Sequence, residues 1–144
     1  MTNVRVHKHL RRRFVAAPAR HLTEYKPKSQ FQIQMEPEDF LRAVGYFEMN
    51  EEIREAVISE QVVQQLMTRI ETEEEIDPLF LDVDTINRKV VGHEGRHRAV
   101  AAMRLGLGTI PVIVYLYSRR EGYMDATPAR IAKAKRIILL GELR

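Results

Sequence analysis

The chain has 144 residues, of which 44% are hydrophobic and 30% charged, a composition typical of a folded globular domain. We expect one domain, because this length supports one substantial core and is short for two. The absence of cysteine excludes disulfides, thiolate zinc sites and cysteine catalysis. No apolar run approaches membrane-spanning length and no secretory signal is recognisable, so we expect a cytoplasmic protein, in the host cell if it is viral, that engages no membrane.

The net charge of +3 conceals a strong segregation along the chain. Residues 1–30 carry eight Lys/Arg and one acid, residues 31–87 carry three and fifteen, and residues 88–144 carry twelve and four. Either the basic ends pack against the acidic middle, or they form a basic face that meets a polyanion. The sequence is compatible with both arrangements.

Residues 1–30 are interpreted as a basic N-terminal arm and residues 31–144 as the domain. The arm shows no sustained periodicity, and we expect it to be irregular apart from a short strand or helical turn within residues 10–17. Its triple arginine, Arg11, Arg12 and Arg13, is a candidate contact for a nucleic-acid backbone. The alternative is a solvated arm, or one that wraps its own acidic half.

The acidic middle predicts one strand followed by helices. Residues 31–35 alternate as a half-buried strand, and Pro37 suits the first turn of a helix whose apolar face includes Phe47. A helix over residues 51–58 either stands alone or merges with a helix that Ser59 caps. We interpret the many glutamates as solvated faces rather than as a metal site, since no calcium-loop pattern is present.

The basic C-terminal part predicts alternating strands and helices. Residues 79–92 read as a β-hairpin with Asn87 at a positive φ, and a helix of small residues follows the HEGRHR segment. Residues 110–116 predict a central strand, and Thr127 caps a last helix. One face of that helix is basic and is a candidate nucleic-acid surface, although such a face is solvated by default; it carries Arg130, Lys133 and Arg136. The predicted fold class is α/β (α+β), with a small mixed sheet and packed helices.

The segment from Gly92 to Arg98 is the main candidate site. Gly92 and Gly95 allow the backbone to approach a ligand closely, and the helix that follows directs free N–H groups at the turn. Arg96 and Arg98 are planar donors that suit the phosphate oxygens of a nucleoside di- or triphosphate.

Two further side chains of this segment are candidates for catalysis. Glu94 can hold a Mg²⁺ ion that bridges phosphates or act as a general base, and His97 can donate a hydrogen bond or shuttle a proton. Alternatively Glu94 forms a salt bridge with a neighbouring arginine and His97 simply packs. His93 can face the same site. Tyr25, Tyr46 and Tyr123 are possible stacking partners for a base, and their spacing selects none of them.

The order of elements and the EGRHR turn resemble the ParB/sulfiredoxin superfamily, the group that includes ParB-like nuclease domains. The ParB turn reads like GERRWRAA, which places its Glu on Glu94 and two of its arginines on Arg96 and Arg98. The free serine kinase turn is similar to DGHHR, on residues 94–98, and the sulfiredoxin turn to GCHR, on residues 95–98. The likeness covers residues 78–117 well, and the segment from Phe31 onward more loosely.

The departures from this superfamily narrow the function that the resemblance implies. Arg96 stands at the sulfiredoxin cysteine position, so sulfinic acid repair, which needs a thiolate, is excluded. Only 27 residues follow Tyr117, so we expect no helix-turn-helix DNA reader after the domain.

Three classes of function stay open on the sequence. The first is a ParB-like domain that binds a nucleotide or another phosphate ligand, with possible NTPase or phosphotransfer activity. The second is a nucleic-acid-binding protein or metal-dependent nuclease. The third is a catalytically inactive module that binds a protein partner in a phage or plasmid system.

Overall fold

The computed structural model describes residues 25–139, which form a five-stranded mixed sheet and five α-helices. The predicted fold class, a small mixed sheet with packed helices, is confirmed. The elements in chain order are β1 (Gln30–Met35), α1 (Pro37–Ala43), α2 (Glu51–Val57), α3 (Glu60–Glu71), β2 (Leu79–Asp84), β3 (Lys89–Glu94), α4 (Arg96–Arg104), β4 (Ile110–Ser118), β5 (Gly122–Tyr123) and α5 (Pro128–Leu139). The predictions for residues 10–17 and for Arg11, Arg12 and Arg13 lie outside the described residues. Within residues 25–139 no helix is long and apolar enough to span a bilayer.

Strand β4 lies inside the sheet, as its run of apolar residues predicts. The strand order is β1-β4-β2-β3, with β4 parallel to β2 and antiparallel to β1, and β5 pairs with the end of β4. All six residues from Ile110 to Tyr115 are buried, because β4 has neighbours on both edges and packed side chains on both faces.

The main core lies between one face of the sheet and the helices. Strand β1 shows the expected alternation, in which Ile33 and Met35 are buried and Gln32 and Gln34 are exposed. On the core face the parallel strands β2 and β4 contribute alternate apolar residues; these are Leu79, Leu81, Val83, Val112, Val114 and Leu116. The opposite face of the sheet carries a smaller cluster, in which Phe80 and Tyr123 pack around Ile113 and Tyr115.

Polar caps separate the helices of the acidic segment. Asn50 Oδ1 accepts the backbone N–H of Ile53 at 2.9 Å, and Ser59 Oγ accepts that of Val62 at 3.2 Å. Helices α2 and α3 are therefore distinct, which decides between the two predicted arrangements. The placement of Phe47 on an apolar helix face was wrong, since α1 ends at Ala43 and Phe47 is 41% exposed in the 3₁₀ turn Tyr46–Glu48.

The β2–β3 hairpin is confirmed, but its left-handed residue is not Asn87. Asp84 Oδ1 accepts the backbone N–H groups of Ile86 and Asn87, each at 2.9 Å, and its Oδ2 accepts Asn87 Nδ2 at 2.8 Å. These bonds hold Asn87 within the turn, and the change of chain direction into β3 falls on Arg88, whose φ is 56°. Thr127 caps α5 as predicted, its Oγ1 accepting the N–H of Arg130 at 3.3 Å.

Candidate functional site

A single glycine separates β3 from α4 at the candidate site. Glu94 is the last residue of β3, Gly95 is the N-cap with φ 112°, and Arg96 already begins α4. The segment that the sequence indicated as a turn is thus divided between the end of β3 and the first turn of α4. A Cβ at Gly95 would lie 2.8 Å from Leu79 Cγ. Glycine is therefore needed both for the positive φ and for the close packing on β2.

In the described part of the chain, no side chain caps the start of α4. The first intrahelical bond runs from the N–H of Ala99 to the carbonyl of Gly95 at 2.8 Å, and no cap side chain accepts the earlier N–H groups. The positive end of the helix dipole adds to this set of free donors. The helix start is consequently suited to an anion.

Arg96 lies beside this helix start and has no acidic partner among the described residues. Its Nη2 donates to His93 Nε2 at 3.2 Å, and its Nε is buried with no hydrogen-bond partner. No carboxylate among residues 25–139 lies within ion-pair distance of Arg96. Burial, and then the charge of Arg96, lower the pKa of His93, which keeps its ring a neutral acceptor.

Arg98 is turned inward beneath the same helix start. Its side chain is 17% exposed, and Nη2 donates to the carbonyl of Pro78 at 2.9 Å. Its Nε is also buried without a partner. Glu94 Oε1 lies 4.0 Å from Arg98 Nη2, the outer limit of an ion pair, and the Glu94 side chain is 71% exposed. Arg98 and Glu94 therefore neutralise each other only weakly.

His97 contacts the start of α3. Its Nε2 accepts the backbone N–H of Ser59 at 3.0 Å, so in the neutral ring the proton lies on Nδ1. Burial lowers the pKa of His97 first, and the charges of Arg96 and Arg98 lower it further. This bond gives His97 a structural role. Its catalytic role stays a prediction.

Gly92 lies within β3 and faces a carboxylate that the sequence did not single out. Gly92 pairs with Asp82 of β2, and a Cβ at Gly92 would lie 2.8 Å from Asp82 Oδ2. Burial raises the pKa of Asp82, which is half-buried. The one signal for Asp82 in the sequence is an acid in an otherwise apolar strand. The predicted phosphate contact of Gly92 stays a prediction, and its observed partner is the Asp82 side chain.

The tyrosines separate into two places. Tyr25 and Tyr123 share a hydrogen bond between their hydroxyls at 3.3 Å, and both rings pack edge-on against Tyr115, which the sequence did not indicate. Tyr46 instead lies under the guanidinium of Arg54, 5.0 Å from its ring centre. Neither group includes a residue of the Glu94–Arg98 segment.

The predicted basic face of the last helix lies on α5. Arg130 donates from Nη1 to the carbonyl of Asp125 at 3.0 Å. Lys133 and Arg136 form no ion pair with any residue between 25 and 139. Ile137 of this helix lines a cavity together with Arg88 and Lys89 of the hairpin. Helix α5 and the hairpin are therefore neighbours.

At this site the described residues alone supply too few coordinating atoms to hold a metal ion. Residues 25–139 contain no group of three His, Asp or Glu side chains arranged to hold a metal. Glu94 alone offers one exposed carboxylate, and Mg²⁺ is commonly held by one or two carboxylates together with substrate phosphates. The magnesium ion at Glu94 stays a prediction.

Comparison with known proteins gave no match: no protein-family model fits the chain, and no curated protein or solved structure is significantly similar to it.

Proposed function

We propose that the chain binds a phosphate-bearing ligand, a nucleoside di- or triphosphate, at the start of α4. One observation carries the proposal: within residues 25–139, the Nε atoms of Arg96 and Arg98 are both buried without a hydrogen-bond partner, beside a helix start that no side chain caps. Buried donors are nearly always paired in folded proteins, so this pair of guanidinium groups indicates a missing acceptor. A phosphate supplies several acceptor oxygens, and its negative charge complements Arg96 and also Arg98, whose carboxylate partner Glu94 lies 4.0 Å away.

The identity of the proposed ligand rests on two further arguments. A helix N-terminus and two guanidinium groups together favour a multiply charged anion over a single carboxylate. The likeness of the EGRHR turn to GERRWRAA supports a nucleotide, and on these residues we propose that the domain is ParB-like. Glu94 then serves as a magnesium ligand or a general base, since its exposed carboxylate stands next to Arg98.

Isothermal titration tests the proposal directly. The full chain is titrated with nucleoside di- and triphosphates in the presence of Mg²⁺, beside the variants Arg96→Gln and Arg119→Gln. Losing the charged hydrogen bonds of Arg96 costs about 1.5–3 kcal/mol, so Arg96→Gln weakens binding by tenfold or more. Arg119→Gln removes the same charge at the far end of the sheet and leaves affinity unchanged. Absence of binding to every nucleotide, or equal losses in both variants, contradicts the proposal.

Catalysis is tested with the same protein. In the proposed NTPase, Glu94→Gln retains nucleotide binding and loses phosphate release. Cleavage of DNA with Mg²⁺ or Mn²⁺ that depends on Glu94 supports the nuclease alternative instead. A biological activity that survives Glu94→Gln supports the inactive interaction module.

A further inference from the structure

Strand β1 forms one edge of the sheet. The strand order β1-β4-β2-β3 places β4 on one side of β1, and no other strand of residues 25–139 lies on its outer side. In an edge strand, alternate residues direct their N–H and C=O groups away from the sheet. The outer side of β1 can therefore accept a further strand.

Strand β1 lacks the features that usually keep an edge strand from pairing with another chain. Such features are charged side chains, proline and β-bulges. The strand reads QFQIQM, without charge or proline, and its register with β4 is unbroken from Gln30 to Met35. The opposite edge strand, β3, begins at Lys89, ends at Glu94, and its pairing with β2 shifts register after Asp82. Of the two edges in the described sheet, β3 is thus protected and β1 is not.

The sequence of β1 matches a second copy of itself in antiparallel pairing. About a two-fold axis at Gln32, Gln32 lies opposite its own copy, Gln30 lies opposite Gln34, and Phe31 lies opposite Ile33. Glutamines then meet glutamines on the face that carries Tyr115, and apolar residues meet on the core face. Phe31, which is only partly buried against the core, gains cover from the second copy.

The charged residues that flank β1 select this register. Lys28 lies in the 3₁₀ turn just before the strand, and Glu36 follows the strand. Both are exposed, and neither forms an ion pair with another residue between 25 and 139. In an antiparallel pair the beginning of one strand lies beside the end of the other. With Gln32 on the axis, residues 28 and 36 are equally far from it, so Lys28 of each copy lies beside Glu36 of the other.

We propose that the chain forms a symmetric homodimer in which β1 pairs antiparallel with β1 of a second copy, with Gln32 on the two-fold axis. The two sheets join into one continuous sheet, and the same surface serves both copies. Because six-residue strands and their flanks bury little area, the dimer is weak and forms reversibly with concentration.

The proposed dimer is independent of nucleotide binding. The start of α4 follows β3, which lies three strand spacings from β1, roughly 14 Å. Both candidate phosphate sites therefore remain at the outer edges of the joined sheet. Each copy binds its ligand whether or not the dimer forms.

Cysteine cross-linking tests the register, since the chain contains no cysteine. The two Gln32 residues lie about 4.5–5.5 Å apart between Cα atoms, which is within the range of a disulfide. Gln32→Cys in the full chain therefore forms a disulfide-linked dimer under mild oxidation. Gln34→Cys is the matched control, because it is exposed on the same face but its two copies lie four residues apart along the pair, roughly 13 Å. Equal cross-linking of the two variants, or none in either, overturns the proposal.

Sedimentation velocity of the full chain at several concentrations tests the charge pairing. Lys28→Glu sets like charges beside each other at both ends of the interface, and the dimer dissociation constant rises about tenfold. Lys28→Glu/Glu36→Lys restores the attraction and recovers the dimer. Lys135→Glu makes the same change of charge at an exposed position of α5 and leaves the dissociation constant unchanged.

A monomer at every concentration, or a double variant no better than Lys28→Glu alone, overturns the proposal. Thermal melting confirms that each variant is folded. Nucleotide titration of Lys28→Glu gives the affinity of the parent chain, which separates the outcome for the dimer from the outcome for Arg96.

Discussion

The backbone N–H of Ser59 donates to Nε2 of His97 at 3.0 Å and thereby ties the start of α3 to the first turn of α4. Ser59 also caps α3 with its own hydroxyl, so its N–H and its side chain are both used at the junction. The ring of His97 is thus a positioning element for the helix that carries Arg96 and Arg98. Its effect on the candidate site can be measured.

Replacing His97 by alanine removes the acceptor of the Ser59 N–H. We expect a loss of about 1 kcal/mol in the free energy of unfolding, the net value of one such bond. Glutamine at this position is the matched control, because its Oε1 can take the place of Nε2 as an acceptor. Urea denaturation of both variants measures the difference. Equal stability of His97→Ala and the parent chain would show that the bond contributes nothing.

The two histidines of the site predict lower stability in acid. The pKa values of His93 and His97 are both lowered from 6.5, mainly by burial. Because the folded-state pKa of each ring lies below its unfolded value, the stability that the neutral rings contribute is fully present above pH 6.5. It is lost as the pH falls through the lowered pKa values. Chemical denaturation between pH 8 and pH 5 shows the loss. His97→Gln makes the dependence of stability on pH shallower. An unchanged dependence would show that His97 does not contribute to it.

Gly95→Ala tests the need for glycine at the start of α4. The new Cβ meets Leu79 and also forces alanine to a φ of 112°. We expect a loss of about 2–4 kcal/mol, which combines backbone strain with displacement of a core side chain. Gly122→Ala is the control for strain alone, because Gly122 has φ 75° and no atom within 4 Å of its Cβ. Its loss should be smaller, about 1 kcal/mol. Similar losses in the two variants would argue against the Leu79 contact.

Asp82→Asn should stabilise the fold at neutral pH. Burial raises the pKa of Asp82 above 3.8, so its ionisation opposes folding. This penalty is absent below pH 3.8 and grows as the pH rises through the folded-state pKa. Thermal melts of the variant and the parent at pH 3.5 and pH 7 measure it. Relative to the parent, the variant should have a higher melting temperature at pH 7 than at pH 3.5. A lower melting temperature at pH 7 would show that the carboxylate has a stabilising partner.

Local chemistry explains what the sequence predicted correctly. The alternation of residues 31–35, the caps at Ser59 and Thr127 and the apolar run of β4 each depend on residues within a few positions of one another. A helix of small residues after HEGRHR was also predicted, although α4 begins earlier, at Arg96. These features need no knowledge of the remaining fold.

Long-range contacts account for the features that the sequence did not predict. Ser59 and His97 are 38 positions apart, and only the packing of α3 against α4 brings them together. The side chain of Arg98 points inward because it donates to the carbonyl of Pro78, twenty positions earlier. The shift of the left-handed residue from Asn87 to Arg88 has a local cause instead, since it follows from the bonds that Asp84 makes to residues two and three positions later. Residue type alone favours asparagine at such a position.

The pairing of Gly92 with Asp82 across the hairpin makes these two positions interdependent. Since a Cβ at position 92 would lie 2.8 Å from Asp82 Oδ2, a larger residue fits there only when the side chain at position 82 becomes smaller. In any related chain the two positions should therefore change together, with glycine at 92 accompanying a carboxylate at 82. A laboratory library randomised at both positions and selected for folding should recover this coupling, and single replacements of Gly92 should be depleted from it.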